Sequence, residues 1–133
     1  MPETKVPPRQ LQVDTVFDWT PDVRFGGAAV GVTYGSRVAK GIKTGRLVHL
    51  FWSITLTNKG TSVGNCQIFG SPLAADSVPG LQTGFHVNTQ VFYRIPAASQ
   101  IIDLLTTANA AITNATLTNT STLVGNLTFL TAA

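Results

Sequence analysis

The sequence predicts an all-β protein: a jelly-roll-like antiparallel β-sandwich preceded by an extended N-terminal arm. From residue 16 onward, short segments rich in Val, Ile, Thr and aromatic residues alternate with Gly, Pro and Asn, which is the composition of strands and turns. No apolar pattern with the helical period of about 3.6 residues is sustained. The chain has 133 residues, enough for one domain with its own core and too few for two.

Residues 1–15 differ in composition from the rest of the chain. They hold three of the seven prolines, at Pro2, Pro7 and Pro8, together with several charged side chains. Such a segment favours polyproline II and builds no core. The sequence is therefore divided into an extended arm, residues 1–15, and a β-sandwich domain, residues 16–133.

Nine segments of the domain have strand composition. In order they are residues 23–25, 30–34, 37–43, 47–57, 62–69, 85–95, 100–105, 115–118 and 127–131. A glycine-rich stretch at residues 25–32 is followed by a strand and lacks a phosphate-binding lysine, so its glycines indicate a bulge or a close approach of two backbones. Residues 108–112 predict one helical turn at most.

The clearest strand is residues 47–57, because its side chains alternate. The apolar face, which is predicted to lie in the core, consists of Val48, Leu50, Trp52, Ile54 and Leu56. Residues 58–60 then predict a turn, after which residues 62–69 are expected to pair with this strand as a hairpin. Residues 85–95 alternate in the same way and are predicted as one strand.

The C-terminal segment, residues 97–133, is almost uncharged. Its one charged residue is Asp103, and Ala, Thr, Asn and Leu make up most of the remainder. A neutral strand of this composition aggregates if it lies on an open edge. Two alternatives avoid this outcome: the segment is buried against other subunits, or it forms a central strand of its own sheet.

Charged residues make up only 11% of the chain, nine basic and six acidic, with a net charge of +3. In a typical domain about 25% of the residues are charged, so the surface of this chain is either solvated through Thr, Asn and Ser or covered by partners. No segment is long and apolar enough to span a membrane, and the N-terminus lacks the apolar core of a signal peptide. We therefore expect a protein that is not exported by the usual route and that has no membrane partner.

The residues available for catalysis or metal binding are few. One cysteine, Cys66, and two histidines, His49 and His86, supply neither an internal disulfide nor a zinc ligand set. Asp14, Asp18 and Asp22 are spaced by four, but the extended character of that segment separates them. The sequence therefore predicts no catalytic residue, no metal and no cofactor, and a protein that is not an enzyme.

One segment is locally basic, and no acidic residue occurs between Asp22 and Asp76. Its four charges, spaced by three, are Arg37, Lys40, Lys43 and Arg46. On strands this spacing distributes the charges over both faces, and no aromatic residues are interleaved with them, so nucleic acid is disfavoured as a partner. A solvated rim and a contact with an acidic protein surface both remain open.

Two stretches of the sequence carry a resemblance to a known family: Trp19-Thr-Pro-Asp-Val-Arg-Phe-Gly-Gly-Ala-Ala-Val-Gly-Val-Thr-Tyr34 and Ile54-Thr-Leu-Thr-Asn-Lys-Gly-Thr-Ser-Val-Gly64. With the closing segment Ala115-Thr-Leu-Thr-Asn-Thr-Ser121, they resemble a β-rich domain of tailed-phage virion proteins, found on head decoration proteins and on tail-fibre tips. The chain departs from the family at Gly41, where an aromatic residue is frequent. The resemblance implies a jelly-roll-like sandwich that assembles as a homotrimer without enzymatic activity.

Within this family the short arm favours a capsid decoration (cement) protein on the head surface of the virion, with the major capsid protein as its partner. An arm of about 15 residues reaches at most about 50 Å and suits a peptide that orders on binding the shell. Its expected capsid contacts are Val6, Pro7, Pro8, Arg9, Leu11 and Val13.

The alternative function is a tail-fibre or head-fibre tip that binds a host-surface glycan. Aromatic side chains that can stack on sugars are Trp19, Trp52 and Tyr93. Trp52, however, lies on the predicted core face.

Overall fold

The computed structural model describes residues 15–76, 80–86, 89–106 and 108–131, with only the backbone described for the strand residues between 80 and 90. These residues contain strands and no helix. The strands are β1 (Thr15–Asp18), β2 (Asp22–Phe25), β3 (Val32–Thr44), β4 (Leu47–Lys59), β5 (Cys66–Phe69), β6 (Gly80–His86), β7 (Thr89–Ile95), β8 (Ile102–Leu105) and β9 (Thr122–Leu130).

All strand pairs are antiparallel, and the strand order is β1-β3-β4-β9-β6-β7-β8-β5-β2. The ladder of nine strands folds over on itself into two sheets. The first sheet consists of β1-β3-β4-β9 and packs against the second sheet, β7-β8-β5-β2. Strand β6 pairs with both β9 and β7 and so joins the two sheets. Long connections place β9 beside β4 and β2 beside β5. The predicted jelly-roll-like antiparallel β-sandwich is confirmed.

The core lies between the two sheets. All five side chains of the predicted core face of β4 are buried, which confirms that prediction. Opposite them, Tyr93 of β7 is fully buried, and its ring meets Trp52 edge to face with 4.8 Å between centroids. Trp19 contacts the other side of this pair, 5.9 Å from Trp52. Aromatic burial of this extent contributes strongly to stability.

The two edges of the sandwich meet at Tyr34. The backbone N–H of Val23 in β2 donates to the Tyr34 hydroxyl at 2.8 Å, and this hydroxyl donates to Asp22 Oδ1 at 3.2 Å. Burial is the main reason that the pKa of Tyr34 is raised above its ordinary value. The phenol therefore stays protonated and joins the edge of the second sheet to β3.

The predicted hairpin between residues 47–57 and 62–69 is wrong. Both sides of β4 are occupied, by β3 and β9, whereas β5 begins only at Cys66 and pairs with β2 and β8. Residues 60–65 instead form a loop bound to the glycine-rich stretch, with Thr61 N–H donating to Val30 O and Gly26 N–H to Asn65 O. The close backbone approach expected for those glycines is confirmed at Gly26, whose φ is +62°.

Other strand predictions also differ from the structure. Residues 85–95 belong to two strands, because β6 ends at His86 and β7 begins at Thr89, although the alternation of side chains in the sequence continues through both. Residues 30–34 and 37–43 merge into β3 through a bulge near Tyr34. Residues 115–118 lie outside the strands, and residues 108–112 form no helical turn.

The uncharged C-terminal segment forms β9, which lies between β4 and β6. The alternative of a central strand is therefore confirmed for residues 122–130. One face of β9 is buried through Leu123, Leu127 and Phe129. The other face carries Val124 and Leu130, which are 44% and 41% exposed, so half of this apolar strand faces outward.

Both ends of the described chain lie at the same end of the first sheet. Thr15 pairs with Lys43, two residues before the turn that joins β3 to β4. Thr131 N–H donates to the carbonyl of Arg46 in this turn. The loop containing Asn119 lies at the opposite end, where Lys59 N–H donates to Asn119 Oδ1.

Candidate interaction surface

The outward side of the first sheet, called here the outer face, exposes large apolar side chains among polar ones. Six large hydrophobic side chains on it are between 39% and 68% exposed. They come from all four strands: Val16, Val38, Leu47, Phe51, Val124 and Leu130. Exposed apolar residues grouped on one sheet face are typical of a surface that binds another molecule.

Strand register brings these side chains together. In an antiparallel ladder, residues directly opposite each other point to the same side of the sheet. Leu47 pairs with Leu130, and Ser53 pairs with both Val38 and Val124. A shallow depression of about 240 Å³ lies between Val38 and Phe51. The outer face is thus continuous across β3, β4 and β9.

Several polar groups on the outer face are paired with one another. The Thr128 hydroxyl is 3.0 Å from His49 Nδ1, and the His49 ring stacks on Phe51 with 6.1 Å between centroids. Lys40 Nζ donates to Asp18 Oδ1 at 2.6 Å. Because these groups already have partners within the chain, covering the face leaves them hydrogen-bonded.

The second sheet has a different outward side. Arg24, Gln67, Asp103 and Arg94 form a row of polar side chains across β2, β5, β8 and β7. Asp103 accepts hydrogen bonds from Gln67 at 2.8 Å and from Arg94 at 3.1 Å. This row is half-buried, and among the described side chains the exposed large hydrophobic residues that lie on a sheet face belong to the first sheet, whereas Phe69 and Phe92 on the second sheet are half-buried.

The basic segment is less positive than its sequence predicts. Lys40 is paired with Asp18, and Arg46 forms an ion pair with Asp76, so the fold brings distant carboxylates to it. Arg37 lies 4.1 Å above the ring of Tyr34 and donates to the carbonyl of Pro21 at 3.2 Å.

The distribution of these charges over both sides of the sheet is confirmed. Lys40 lies on the outer face, whereas Arg37 and Lys43 have the opposite parity along β3. Lys43 lines an apolar pocket with Phe17 and Leu73.

The expected capsid contacts Val6, Pro7, Pro8, Arg9, Leu11 and Val13 lie outside the described residues. The structure describes how the segment that follows these residues is attached to the domain. The ring of Phe17 packs directly over Gly41, whose missing Cβ would lie 3.0 Å from Phe17 Cε1. Trp19 Nε1 donates to the carbonyl of Lys40 at 2.9 Å. Two aromatic residues therefore anchor the arm's end of the domain to β3.

Sugar stacking on the three predicted aromatic residues is ruled out by their burial. Trp19, Trp52 and Tyr93 are 8%, 4% and 0% exposed. Stacking requires an open ring face, so a glycan site on these residues is wrong. Phe51, which is 42% exposed, is the aromatic residue that the outer face presents.

Among residues 15–76, 80–86, 89–106 and 108–131, no group of three His, Cys, Asp or Glu residues is placed to hold a metal ion. In this part of the chain no helix has the length and hydropathy of a membrane span. The side chain of His86 is outside the described atoms. Asp18 and Asp22 lie on separate strands with separate basic partners, Lys40 and Arg24, as their extended segment predicts.

Cys66 is expected to be unreactive in the native protein. Its thiol is 1% exposed, and burial raises its pKa well above the ordinary value. A thiol reagent at about pH 8.5, the ordinary thiol pKa, should therefore label the protein only after denaturant unfolds it. Mass spectrometry before and after unfolding measures this difference, and rapid labelling of the folded chain would contradict the buried position.

The sequence contained a signal for the outer face that the strand pattern alone did not resolve. Leu47 and Phe51 alternate with the core residues of β4, and Val124 occurs in the uncharged C-terminal segment. Only the pairing of β4 with β9 shows that these side chains share one surface.

Comparisons of the chain with protein-family models, curated proteins and solved structures gave no match.

Proposed function

We propose that this protein is a capsid decoration (cement) protein of a tailed bacteriophage: a homotrimer on the head surface that stabilises the shell. The observation that carries the proposal is the outer face of the first sheet, which exposes six large hydrophobic side chains and pairs several of its polar groups internally. A surface of this kind favours permanent assembly over a solvated monomer. Together with the resemblance to phage virion domains, it supports a structural role.

The arm is proposed to bind the major capsid protein. A segment that orders on binding loses conformational entropy but wraps a large surface. For such a contact to stabilise the shell, the arm must be firmly attached to the folded domain. Phe17 and Trp19 supply this connection, because both pack on β3 directly after the arm.

Deleting residues 1–14 is expected to abolish binding to purified undecorated heads. The deletion removes the proposed capsid contacts and keeps all of β1, which begins at Thr15. Cosedimentation with heads measures occupancy, and near-UV circular dichroism checks that the domain remains folded. Full occupancy by the truncated protein would refute the role of the arm.

The location of the protein on the virion separates this function from a receptor-binding fibre tip. Antibody labelling in electron micrographs is expected to decorate the head lattice. Labelling confined to the tail or to fibre tips would overturn the decoration function and favour receptor binding. The matching binding assay is adsorption of the purified protein to host cells, which a decoration protein does not require.

A further inference from the structure

We infer that the end of the arm folds back onto the domain and seats Val13 in the pocket beside β1. This pocket, called here the arm pocket, has a volume of about 290 Å³ and is mostly apolar. It is lined by Thr15, Phe17, Asp18, Lys43, Pro72 and Leu73. The occupant that we assign to it is residues 11–13, which directly precede β1 and lie outside the described part of the chain.

The sequence around the start of β1 alternates as a strand with one buried side does. Apolar residues of one parity are Leu11, Val13, Phe17 and Trp19. Polar residues of the other parity are Gln10, Gln12, Asp14 and Asp18. The structure describes the second half of this pattern, in which Phe17 packs over Gly41 and Trp19 is buried. Val16, of the other parity, is exposed. The same parity places Val13 on the side of Phe17.

The pairing of β1 with β3 shows where this side of the strand leads. Thr15 lies opposite Lys43 in the ladder, and both residues line the arm pocket. β3 continues to Thr44 before the β3–β4 turn, so its edge beside β1 is long enough for one more pair. Two residues of an extended strand span about 7 Å. Val13, two residues before Thr15 and on the same side, therefore reaches the pocket without a bend in the chain.

The opposite wall of the arm pocket belongs to the connection between β5 and β6. Its Leu73 packs against the core but is only partly buried. Ala75 forms a bridge with Thr131. Asp76 forms an ion pair with Arg46 in the β3–β4 turn. The connection thus crosses the end of the sandwich toward which the arm extends. An apolar side chain placed on Leu73 removes further apolar surface from water, which is favourable.

A tethered occupant has an advantage over a separate molecule. Only Asp14 separates Val13 from Thr15, so the effective concentration of Val13 at the pocket is at least on the order of mM, as for short linkers. A separate protein of equal intrinsic affinity would have to exceed that concentration to displace it. Among the predicted capsid contacts, Leu11 and Val13 then attach the arm to the domain, and residues 6–9 remain for the shell. The inference goes beyond the proposed function and does not require it, because the docking occurs within one chain.

The first test places a charge at Val13. Val13→Asp is expected to lower the midpoint of thermal unfolding, followed by circular dichroism, by about 4–8 °C, because a carboxylate is unfavourable in an apolar pocket. Gln12→Asp is the matched control, since it adds the same charge at the adjacent position of opposite parity. The midpoint of the control is expected to lie within about 2 °C of the wild type. A shift for Val13→Asp no larger than that of the control would overturn the inference.

A double-mutant cycle with Leu73→Ala tests where Val13 packs. Val13→Ala and Leu73→Ala remove the same contact if the two side chains touch. The loss of unfolding midpoint in the double variant is then expected to be smaller than the sum of the losses in the two single variants. Strictly additive losses would contradict the assignment of Val13 to the arm pocket.

Head binding separates this inference from the proposed function. Deleting residues 1–9 is expected to abolish binding to undecorated heads and to leave the unfolding midpoint unchanged, because residues 11–13 are retained. A truncated protein that still binds heads at an unchanged midpoint would refute the shell contact of residues 6–9 and leave the docking of Val13 standing. If Leu73→Ala weakens head binding without lowering the midpoint, the pocket receives a segment of the shell and the inference is wrong.

Discussion

Gly125→Ala is expected to destabilise the folded domain by about 2–3 kcal/mol, as overpacking of a well-filled core does. Gly125 lies in β9 under the aromatic pair of the core. A Cβ at this position would be 2.8 Å from Cδ2 of Tyr93 and 3.1 Å from Cζ2 of Trp52. Both rings are buried, so neither can move without displacing its neighbours. Denaturant unfolding followed by tryptophan fluorescence measures the change.

Gly35→Ala is the matched control for this prediction. Gly35 is exposed on β3, and a Cβ there would meet mainly the methyl group of Thr57, at 3.2 Å. The expected change in unfolding free energy is small, within about 0.5 kcal/mol. In a Tyr93→Leu background, Gly125→Ala should cost less than in the wild type, because the overlapping ring is gone. Equal costs in both backgrounds would contradict the steric explanation.

Trp19→Ala is expected to cost about 3–4 kcal/mol of unfolding free energy, which is typical for removal of a buried aromatic side chain. The indole is 8% exposed, packs on Trp52 and donates its N–H to the carbonyl of Lys40. Its loss opens a cavity beside the aromatic core and removes one attachment of the arm. We expect weaker head binding as well as lower stability, measured by cosedimentation and thermal unfolding.

Trp19→Phe separates the two contributions of this side chain. The phenyl ring keeps much of the packing but cannot donate to Lys40 O, so an intermediate loss of stability is expected. Head binding should follow the order wild type, Trp19→Phe, Trp19→Ala. A Trp19→Ala protein as stable as the wild type would contradict the buried position of the indole.

The fold class was predictable because alternation in a strand directly reflects burial on one side. Residues 47–57 show this most clearly: all five predicted core positions of β4 are buried. Pairing partners were not predictable in the same way. β4 pairs with β9, about 70 residues later in the chain, and local turn chemistry at residues 58–60 indicates a hairpin that the long-range pairing prevents.

The candidate site was predictable in its composition and not in its position. The composition of the uncharged C-terminal segment indicated burial, either in a core or against a subunit. One face of β9 is buried in the core, and the other face is exposed and free to contact a subunit. The basic segment had no acidic neighbours in sequence, yet Asp18 and Asp76 reach it in the fold. The local charge depends on which residues are close in space, and the sequence alone does not show this for residues far apart in the chain.

Gly41 has a steric role in this chain, because the ring of Phe17 in β1 packs directly over it. A side chain at this position would overlap that ring. Any larger residue at Gly41 would displace Phe17 and with it the strand that follows the arm.

The placement of both ends of the described chain beside the β3–β4 turn gives the domain a direction. Thr15 and Thr131 lie at this end, and the loop around Asn119 lies at the other. If the arm holds the shell, the Asn119 loop points outward into solvent, and residues 118–120 are exposed there. This loop is then a place to graft a foreign peptide for display on the particle surface.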